Sequence, residues 1–180
     1  MSGASIREKP HRLGRNAYIG RVNVAFTACI ADRQILFDQD VVPVFVGMLR
    51  EALAKFGCSA PVYCFMPDHM HVIVQGGAEH CDTRAAMAAF KQKSGFWLSR
   101  RRPDRAWQKD FWDHVIRCDE DLAAQVRYVA ENPVRKGLVR CWSDYPHTGR
   151  LAMILVRSSW MRRCRELGDL AQAKDLRLRD

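Results

Sequence analysis

Two short β-patterned segments flank the dipeptide Pro67-Asp68, and this pattern restricts the fold more than any other feature of the sequence. The first segment is Pro61-Val-Tyr-Cys-Phe-Met66, and the second is His69-Met-His-Val-Ile-Val-Gln75. β-Branched and aromatic residues favour strands, and a Pro-Asp dipeptide favours a turn between them. The sequence therefore predicts a β-hairpin over residues 61–75.

Helix and strand patterns alternate on both sides of this hairpin. The further elements are strands over Tyr18–Ile30 and Phe111–Ile116, and helices over Val41–Phe56, about Thr83–Arg101 and Asp119–Asn132. Pro133 ends the last helix, because proline cannot continue a helix without losing a hydrogen bond. The order strand, helix, hairpin, helix, strand, helix is typical of an α+β domain of the ferredoxin-like or RRM-like kind, with an antiparallel sheet and helices on one face.

Positive charge is spread along the whole chain and is dense at both ends. The sequence holds 29 Lys and Arg against 20 Asp and Glu, a net charge of +9. An excess of this size suits a polyanionic partner such as nucleic acid. We expect a basic arm over residues 1–15, one domain over residues 16–149, and a basic helical tail over residues 150–180. The tail either contacts DNA backbone or is a solvated face.

Several classes of protein do not fit the composition. No apolar run approaches the roughly 18 residues that span a bilayer, and the first residues do not resemble a signal peptide. We therefore expect a cytoplasmic protein that does not contact membranes. The seven cysteines lie far apart and form no C-x-x-C pair, which argues against a disulfide framework and a thiolate zinc site.

His69 and His71 lie two residues apart in the second strand of the hairpin. Side chains at this spacing project from the same face of a sheet, so a rigid strand would offer two imidazoles to one metal ion. Alternatively, one histidine packs in the core and the other has no role, which is the commoner situation for an isolated H-x-H.

Tyr128 and Asn132 lie four residues apart in the last predicted helix, about 40° from each other around its axis. The apolar stripe of that helix, Leu122, Val126 and Val129, is centred elsewhere, so Tyr128 flanks the buried face. A phenol and an amide carbonyl would then address one site. Alternatively, Tyr128 is a boundary tyrosine whose hydroxyl lies in water.

Segments in the same order along the chain resemble the HUH single-tyrosine transposases, in particular their REP-associated branch. Phe65–Val74 resembles the HUH signature, Trp107–Arg117 and Tyr128–Val139 resemble the REP-associated branch, and Val24–Thr27 with Asp32–Phe37 is similar to that family's opening strand and loop. The resemblance covers roughly residues 15–147. Asp68 departs from it, since asparagine is more usual there.

This resemblance implies a role for each candidate residue. His69 and His71 match the histidines that bind Mg²⁺ or Mn²⁺, and Asn132 matches the polar residue that completes the metal site. Tyr128 matches the nucleophile, which attacks a phosphodiester of single-stranded or hairpin DNA, becomes 5′-phosphotyrosyl and leaves a 3′-hydroxyl. His114 is a candidate general base, although a structural hydrogen bond is the commoner use of such a residue. The resemblance also implies that the target is a hairpin-forming repeat. We expect a monomer or a homodimer, between which the sequence does not decide.

A cluster around the second helix and its exit is the predicted DNA-binding surface. Its members are Lys91, Lys93, Arg100, Arg101, Arg102, Arg105, Trp107 and Lys109. Basic side chains bind phosphates and aromatic rings stack on unpaired bases in proteins that hold single strands. We expect Trp97 and Trp112, by contrast, to pack in the core.

Two other functions fit parts of the same pattern. A ferredoxin-like sheet binds RNA or DNA without chemistry, which would make the chain a non-catalytic binding module. A metal phosphoesterase would use His69 and His71 with a water nucleophile and leave Tyr128 idle. The combination of His-x-His with Tyr-x-x-x-Asn favours the transposase over both.

Overall fold

A computed structural model of the chain describes residues 13–117 and 119–152. The strands are β1 Asn23–Cys29, β2 Cys58–Met66, β3 His69–Gly76, β4 Trp112–Ile116 and β5 Thr148–Leu151. The α-helices are α1 Val41–Lys55, α2 Thr83–Arg101, α3 Asp119–Ala130 and α4 Asn132–Arg135, with short 3-10 turns at Arg15–Tyr18, Ala31–Arg33 and Trp142–Asp144. The predicted α+β class is therefore confirmed. In the described part, no helix is long and apolar enough to cross a membrane.

The five strands form one antiparallel sheet in the order β4-β1-β3-β2-β5. The first four strands in this order, with α1 and α2 between them in sequence, are the ferredoxin-like arrangement that the pattern predicts. The predicted hairpin is β2 and β3, which pair directly on either side of Pro67-Asp68. β3 is thus at the centre of the sheet, held on both edges, and gives a rigid support for the two histidines.

Both faces of the sheet are covered by helices. On β1, Val24 and Phe26 pack into the main core with α1 and α2, whereas Ala25 between them packs into a second cluster with Leu122 and Val129 of α3. The expectation of helices on one face thus holds for α1 and α2 only. The physical reason is that the central strands carry apolar residues on both sides, and each apolar face requires a cover.

The last predicted helix is interrupted before its expected end. α3 stops at Ala130, and Asn132 begins α4, with Pro133 in its first turn. Proline has no N–H to donate and clashes with the carbonyl four residues earlier, but it fits the first turn of a new helix. Tyr128 and Asn132 therefore lie in two consecutive helices.

The sequence did not predict β5, whose four residues lack a β-branched run. This strand pairs with the outer edge of β2 and carries the sheet to Leu151, two residues beyond the expected end of the domain. At the other end, the 3-10 turn begins at Arg15, whose guanidinium lies 3.7 Å from the carboxylate of Asp82. The rest of the expected arm and tail, residues 1–12 and 153–180, lies outside the described residues.

Candidate active site

His69 and His71 of β3 meet on the sheet face that α3 partly covers. Their Nε2 atoms lie 3.1 Å apart, and the two rings are nearly perpendicular, at 88°. The shared face follows from the strand alternation, as the sequence predicts. His71 lies opposite Thr27 of β1 and Cys64 of β2, so the pair is centred on the sheet.

The other nitrogen of each imidazole is held by a neighbouring oxygen. His69 Nδ1 lies 2.5 Å from Asp68 Oδ1, and His71 Nδ1 lies 2.8 Å from Thr27 Oγ1. An ionised carboxylate only accepts hydrogen bonds, so Nδ1 of His69 carries the proton and donates it. The contact of His71 Nδ1 with the threonine hydroxyl fits either tautomer, because a hydroxyl both donates and accepts. In the tautomer that binds a metal ion, His71 Nδ1 would donate to this hydroxyl. Both Nε2 atoms then present lone pairs, the arrangement that metal-binding histidines show.

Burial keeps the two imidazoles neutral. It lowers the pKa of His71 to about 4, helped by the adjacent His69 and by the charges of Arg135 and Arg33. Burial also lowers the pKa of His69, against the opposing effect of Asp68. For Asp68, burial acts to raise the pKa, but the hydrogen bond and charge of His69, together with Arg33, lower it overall. Neutral imidazoles are the form that binds metal ions.

The histidine pair fits two adjacent ligand positions of one octahedral ion. Two ligands at right angles and about 2.1 Å from an ion lie about 3.0 Å apart, close to the observed separation of the two Nε2 atoms. Imidazole is a ligand of transition metals, so the pair suits Mn²⁺ better than Mg²⁺. The described residues contain no group of three or more His, Cys, Asp or Glu that could hold an ion. Further ligands would have to come from amide oxygens, water or DNA phosphate.

Tyr128 lies on the flank of α3, as the helical spacing predicts. Its side chain is 55% exposed, whereas Leu122 and Val129 on the same helix are 7% and 4% exposed. The guanidinium of Arg135 covers the ring, with its central carbon 3.9 Å from the ring centroid. Arg135 Nη2 also donates to the main-chain carbonyl of Tyr128 at 2.6 Å. One arginine therefore holds both the ring and the backbone of this residue.

Asn132 connects the end of α3 to α4. The residue is buried, and its Nδ2 donates to the carbonyls of Tyr128 and Val129 at 3.1 and 3.3 Å. These carbonyls lie in the last turn of α3, where helical partners run out. The amide nitrogen thus has a structural role, and the amide oxygen is the atom that can serve a metal. Val129 in the last turn of α3 packs in the same cluster as Ile73 of β3, so the end of α3 lies over the sheet face that carries the histidines. The charges of Arg135 and Lys136, which follow closely, act to lower the pKa of His71 and of His69 respectively.

His114 is not brought to the histidine pair. It is exposed on β4, its ring stacks on that of Trp112, and β1 lies between β4 and β3. From the strand spacings, its Cα lies about 12 Å from that of His71. The contact that the structure describes for His114 is the stacking of its ring on Trp112.

The predicted DNA-binding cluster surrounds α2, which packs on the sheet face opposite the histidines. Several members contact the protein itself. Lys91 Nζ donates to the carbonyls of Gln108 and Asp110 at 2.7 and 3.0 Å, and Lys93 pairs with Glu51. These lysines hold the loop between α2 and β4 and tie α2 to α1.

The arginines of this cluster differ in their surroundings. Arg105 donates to the carbonyl of Ile35 at 3.1 Å and pairs with Asp104. Arg100 lies over the ring of Phe96, 5.4 Å from its centroid. The remaining members, Arg101, Arg102 and Lys109, are exposed.

The tryptophans are distributed differently from the expectation. Trp107, predicted to bind DNA, packs against the main core, and its Nε1 donates to Ser94 Oγ at 2.9 Å. Trp97 packs against the same core, as expected. The core packing expected for Trp112 is wrong, since this side chain is 63% exposed on β4. Among the residues that the structure describes, no helix packs over that end of β4, and a strand pattern alone does not reveal which helices pack over a strand.

Sequence reasoning missed the residues that support the site. Thr27 is 44 positions from His71, and only the register of β1 against β3 brings them together. Arg33 approaches through an ion pair of 3.2 Å with Asp68, which itself appeared only as a turn residue. The signal for Arg135 was its position in the same segment as Tyr128, but the end of α3 at Ala130 and the short helix α4 that carries Arg135 were not predicted.

Comparisons with known proteins agree with this arrangement. The family model described as "Transposase IS200 like" matches residues 19–131. A Haemophilus influenzae protein assigned to the REP-associated tyrosine transposases is 29% identical over 135 residues, covering 68% of this chain and 76% of the relative. The Escherichia coli REP-associated tyrosine transposase is 30% identical over 103 residues, covering 55% of this chain and 61% of that protein.

A solved structure extends the likeness to three dimensions. It is described as a REP-associated tyrosine transposase bound to a REP hairpin. It matches with a TM-score of 0.61 and 25% identity, over 78% of this chain and 81% of that one. The match therefore covers most of the described part of the molecule.

Proposed function

This chain belongs to the IS200-like transposase family, and we propose that it cuts and rejoins single-stranded DNA at hairpin-forming repeats through a covalent bond to Tyr128. The observation that carries the proposal is the His69–His71 pair, with Nε2 atoms 3.1 Å apart, on the sheet face over which α3 carries an exposed tyrosine. The resemblance to the REP-associated branch is confirmed by its relatives. The roles of the individual residues and the ion are part of the proposal.

Tyr128 is the proposed nucleophile. Its phenolic oxygen loses its proton and attacks the scissile phosphorus, and the bond from phosphorus to the 3′ oxygen breaks. The departing 3′ oxygen takes up a proton, so the products are a 5′-phosphotyrosyl end and a 3′-hydroxyl. The covalent bond conserves the energy of the phosphodiester, so a 3′-hydroxyl can reverse the step and rejoin the strand. Exposure of the ring on the flank of α3 supports this role, because a buried phenol would not reach DNA.

His69, His71 and the amide oxygen of Asn132 are the proposed protein ligands of Mg²⁺ or Mn²⁺. When bound, the ion supplies positive charge at the scissile phosphate and orients it for in-line attack. Asp68 and Thr27 fix the two imidazoles with Nε2 bare and directed into the site. The side-chain amide of Asn132 also donates to the main-chain carbonyl of Tyr128 at the end of α3, and this hydrogen bond keeps the two residues close together.

Arg135, Lys136 and Arg33 are proposed to bind the phosphates on either side of the cut. The electrostatic effect of these three side chains on the histidines supports this, since a phosphate at the pair would lie within the same field. The guanidinium of Arg135 has two further functions in this proposal. It holds the ring of Tyr128 before the reaction, and it donates hydrogen bonds to the phosphate of the phosphotyrosine afterwards.

Hairpin DNA is the proposed partner, supported by the relative that was solved with a REP hairpin. The exposed arginines at the end of α2 lie behind the sheet and are proposed to contact the duplex stem. We propose residues 16–149, extended by β5 to Leu151, as the catalytic domain, and the basic tail as an additional contact to DNA backbone.

The proposal is tested by incubating a labelled hairpin oligonucleotide with the protein in Mn²⁺, in Mg²⁺ and in EDTA. Cleavage is expected with either ion and is expected to stop in EDTA. His71→Ala should reduce cleavage and raise the ion concentration required, because one ligand is lost. Cleavage that resists EDTA would contradict the metal site. Binding without cleavage under every condition would favour a non-catalytic DNA-binding module.

A further inference from the structure

Trp112 and His114 form an exposed aromatic pair on β4. The side chain of Trp112 is 63% exposed, and His114 is exposed as well. Their rings are stacked, with centroids 6.0 Å apart and planes 14° from parallel. Neither ring is used by the core, and neither belongs to the site described above.

The pair lies on the same sheet face as the histidines. Thr27 of β1 is opposite both Trp112 and His71, so the three residues form one row across the sheet. Facing Cα atoms in antiparallel strands are about 4.5–5.5 Å apart, which places Trp112 about 10 Å from His71. Stacked DNA advances about 3.4 Å per nucleotide, so about three nucleotides or fewer span that distance.

This part of the face is open. β4 is the outermost strand on its side of the sheet, and in the part of the chain that the structure describes no strand pairs with its outer edge. α3 packs over Ile116 at the far end of β4 and crosses toward β2. Within residues 13–117 and 119–152, the Trp112 end is left uncovered, beside a site that carries the positive charges of Arg33 and Arg135.

A flat aromatic surface beside cationic groups matches the chemistry of an unpaired nucleotide. A base offers a π-face to stack on an indole, and its phosphate offers negative charge to the arginines. We propose that Trp112, backed by His114, is a stacking platform for an unpaired base of the strand that is cut, about three nucleotides or fewer from the scissile phosphate. The inference rests on the proposed function and adds to it a determinant for the single-stranded flank of a hairpin.

The test compares two DNA ligands: a hairpin with a short unpaired flank on each side of its stem, and the same hairpin with blunt ends. Affinity is measured by fluorescence anisotropy in a Tyr128→Phe background, which keeps the DNA intact, with gel analysis of the recovered oligonucleotide. Stacking on an aromatic residue contributes about 1–3 kcal/mol per base, which is roughly a 5- to 140-fold change in affinity. Trp112→Ala should lose at least fivefold for the flanked hairpin and little for the blunt one.

Two controls separate stacking from general effects. Trp112→Phe keeps a ring and should restore most of the affinity, whereas Trp142→Ala removes another exposed tryptophan, 40% exposed, and should change nothing. Replacing flank nucleotides one at a time by abasic residues should reveal one position whose loss reproduces Trp112→Ala. At that position the variant and the abasic change together should weaken binding no more than either alone.

Equal affinity of Trp112→Ala and its parent for the flanked hairpin would overturn the inference. An equal loss of affinity for both hairpins would also overturn it, because Trp112 would then contact the duplex. A change in the sedimentation coefficient of Trp112→Ala would overturn it too, because the aromatic pair would then be an interface between two copies of the chain. Cleavage by the Tyr128→Phe protein would instead contradict the proposed nucleophile, and the comparison of Trp112 variants would still stand in EDTA.

Discussion

Thr27→Val tests how the sheet prepares His71 for a metal ion. Valine has nearly the shape of threonine and suits a strand, so the change removes a hydroxyl without leaving a cavity. The hydroxyl oxygen lies 2.8 Å from His71 Nδ1, where it would accept the Nδ1 proton of the tautomer that binds a metal ion. Without it, Nδ1–H has no acceptor and the ring is free to present either nitrogen to the site.

Loss of such an outer hydrogen bond typically weakens metal binding by about 10- to 100-fold, or about 1.4–2.8 kcal/mol. Leaving a half-buried imidazole N–H unpaired costs about 1–3 kcal/mol, which agrees with that range. We therefore expect Thr27→Val to bind Mn²⁺ about 10- to 100-fold more weakly than the wild type. Its circular dichroism spectrum should be unchanged.

The assay is a titration with Mn²⁺, monitored through the electron paramagnetic resonance signal of the free ion. Thr148→Val is the matched control, because Thr148 lies in the same row of the sheet and donates to Cys64 Sγ at 3.2 Å. This control should bind Mn²⁺ as the wild type does. Equal affinity of Thr27→Val and Thr148→Val would refute the reasoning that the threonine orients the ligand.

Three further predictions follow from the charges around the site. Arg135→Lys keeps the charge but loses the planar contact with the ring of Tyr128, so single-turnover cleavage should fall by about tenfold or more while hairpin affinity changes little; equal cleavage rates would remove Arg135 from the positioning of the nucleophile. In the unfolded chain His71 is protonated below pH about 6.5, whereas burial lowers its pKa in the folded protein to about 4. The free energy of unfolding should therefore be at its maximum above pH about 6.5 and should decrease as the pH drops toward 4. Urea titrations should show that the free energy of unfolding depends less on pH in His71→Gln, and an unchanged dependence would contradict the assignment of this effect to His71. With an unpaired single-stranded oligonucleotide, Arg33→Ala should flatten the dependence of affinity on salt by up to about 0.7 in log–log slope, the value for one phosphate contact on a single strand. The effect should be larger than that of Arg100→Ala, because Arg100 is proposed to contact the duplex stem; the reverse order would place the single strand on the α2 side.

The parts of the fold that depend on local periodicity were predictable. Alternation along β3 fixes which side chains share a face, so the meeting of His69 and His71 needs no knowledge of the rest of the chain. The predicted extent of α2, about Thr83–Arg101, is confirmed, and the structure shows that Asp82 accepts a hydrogen bond from the main-chain N–H of Ala85 at its start.

The contacts that depend on strand register and on the packing of helices could not be predicted from the sequence. The contact of Thr27 with His71 exists only because β1 pairs with β3 in one register, which a single sequence does not reveal. The exposure of Trp112 depends on the path of α3 over the sheet, and the sequence of β4 does not indicate whether a helix packs over Trp112. The contact between Arg135 and Tyr128 depends on the turn from α3 into α4, and the predicted helix ended at Asn132 without indicating where Arg135 would lie.

The covalent intermediate on Tyr128 is the most direct test of the account. The protein is incubated with a hairpin oligonucleotide in Mn²⁺, denatured, digested with nuclease and trypsin, and analysed by mass spectrometry. Trypsin cuts after Arg127 and Arg135, so the peptide Tyr128–Arg135 should carry a phosphate or a short 5′-phosphoryl nucleotide remnant on its tyrosine. The adduct should be absent from Tyr128→Phe and from samples with EDTA. Cleavage at the wild-type rate by Tyr128→Phe, with no modified peptide from the wild type, would contradict the account and assign the reaction to a water nucleophile.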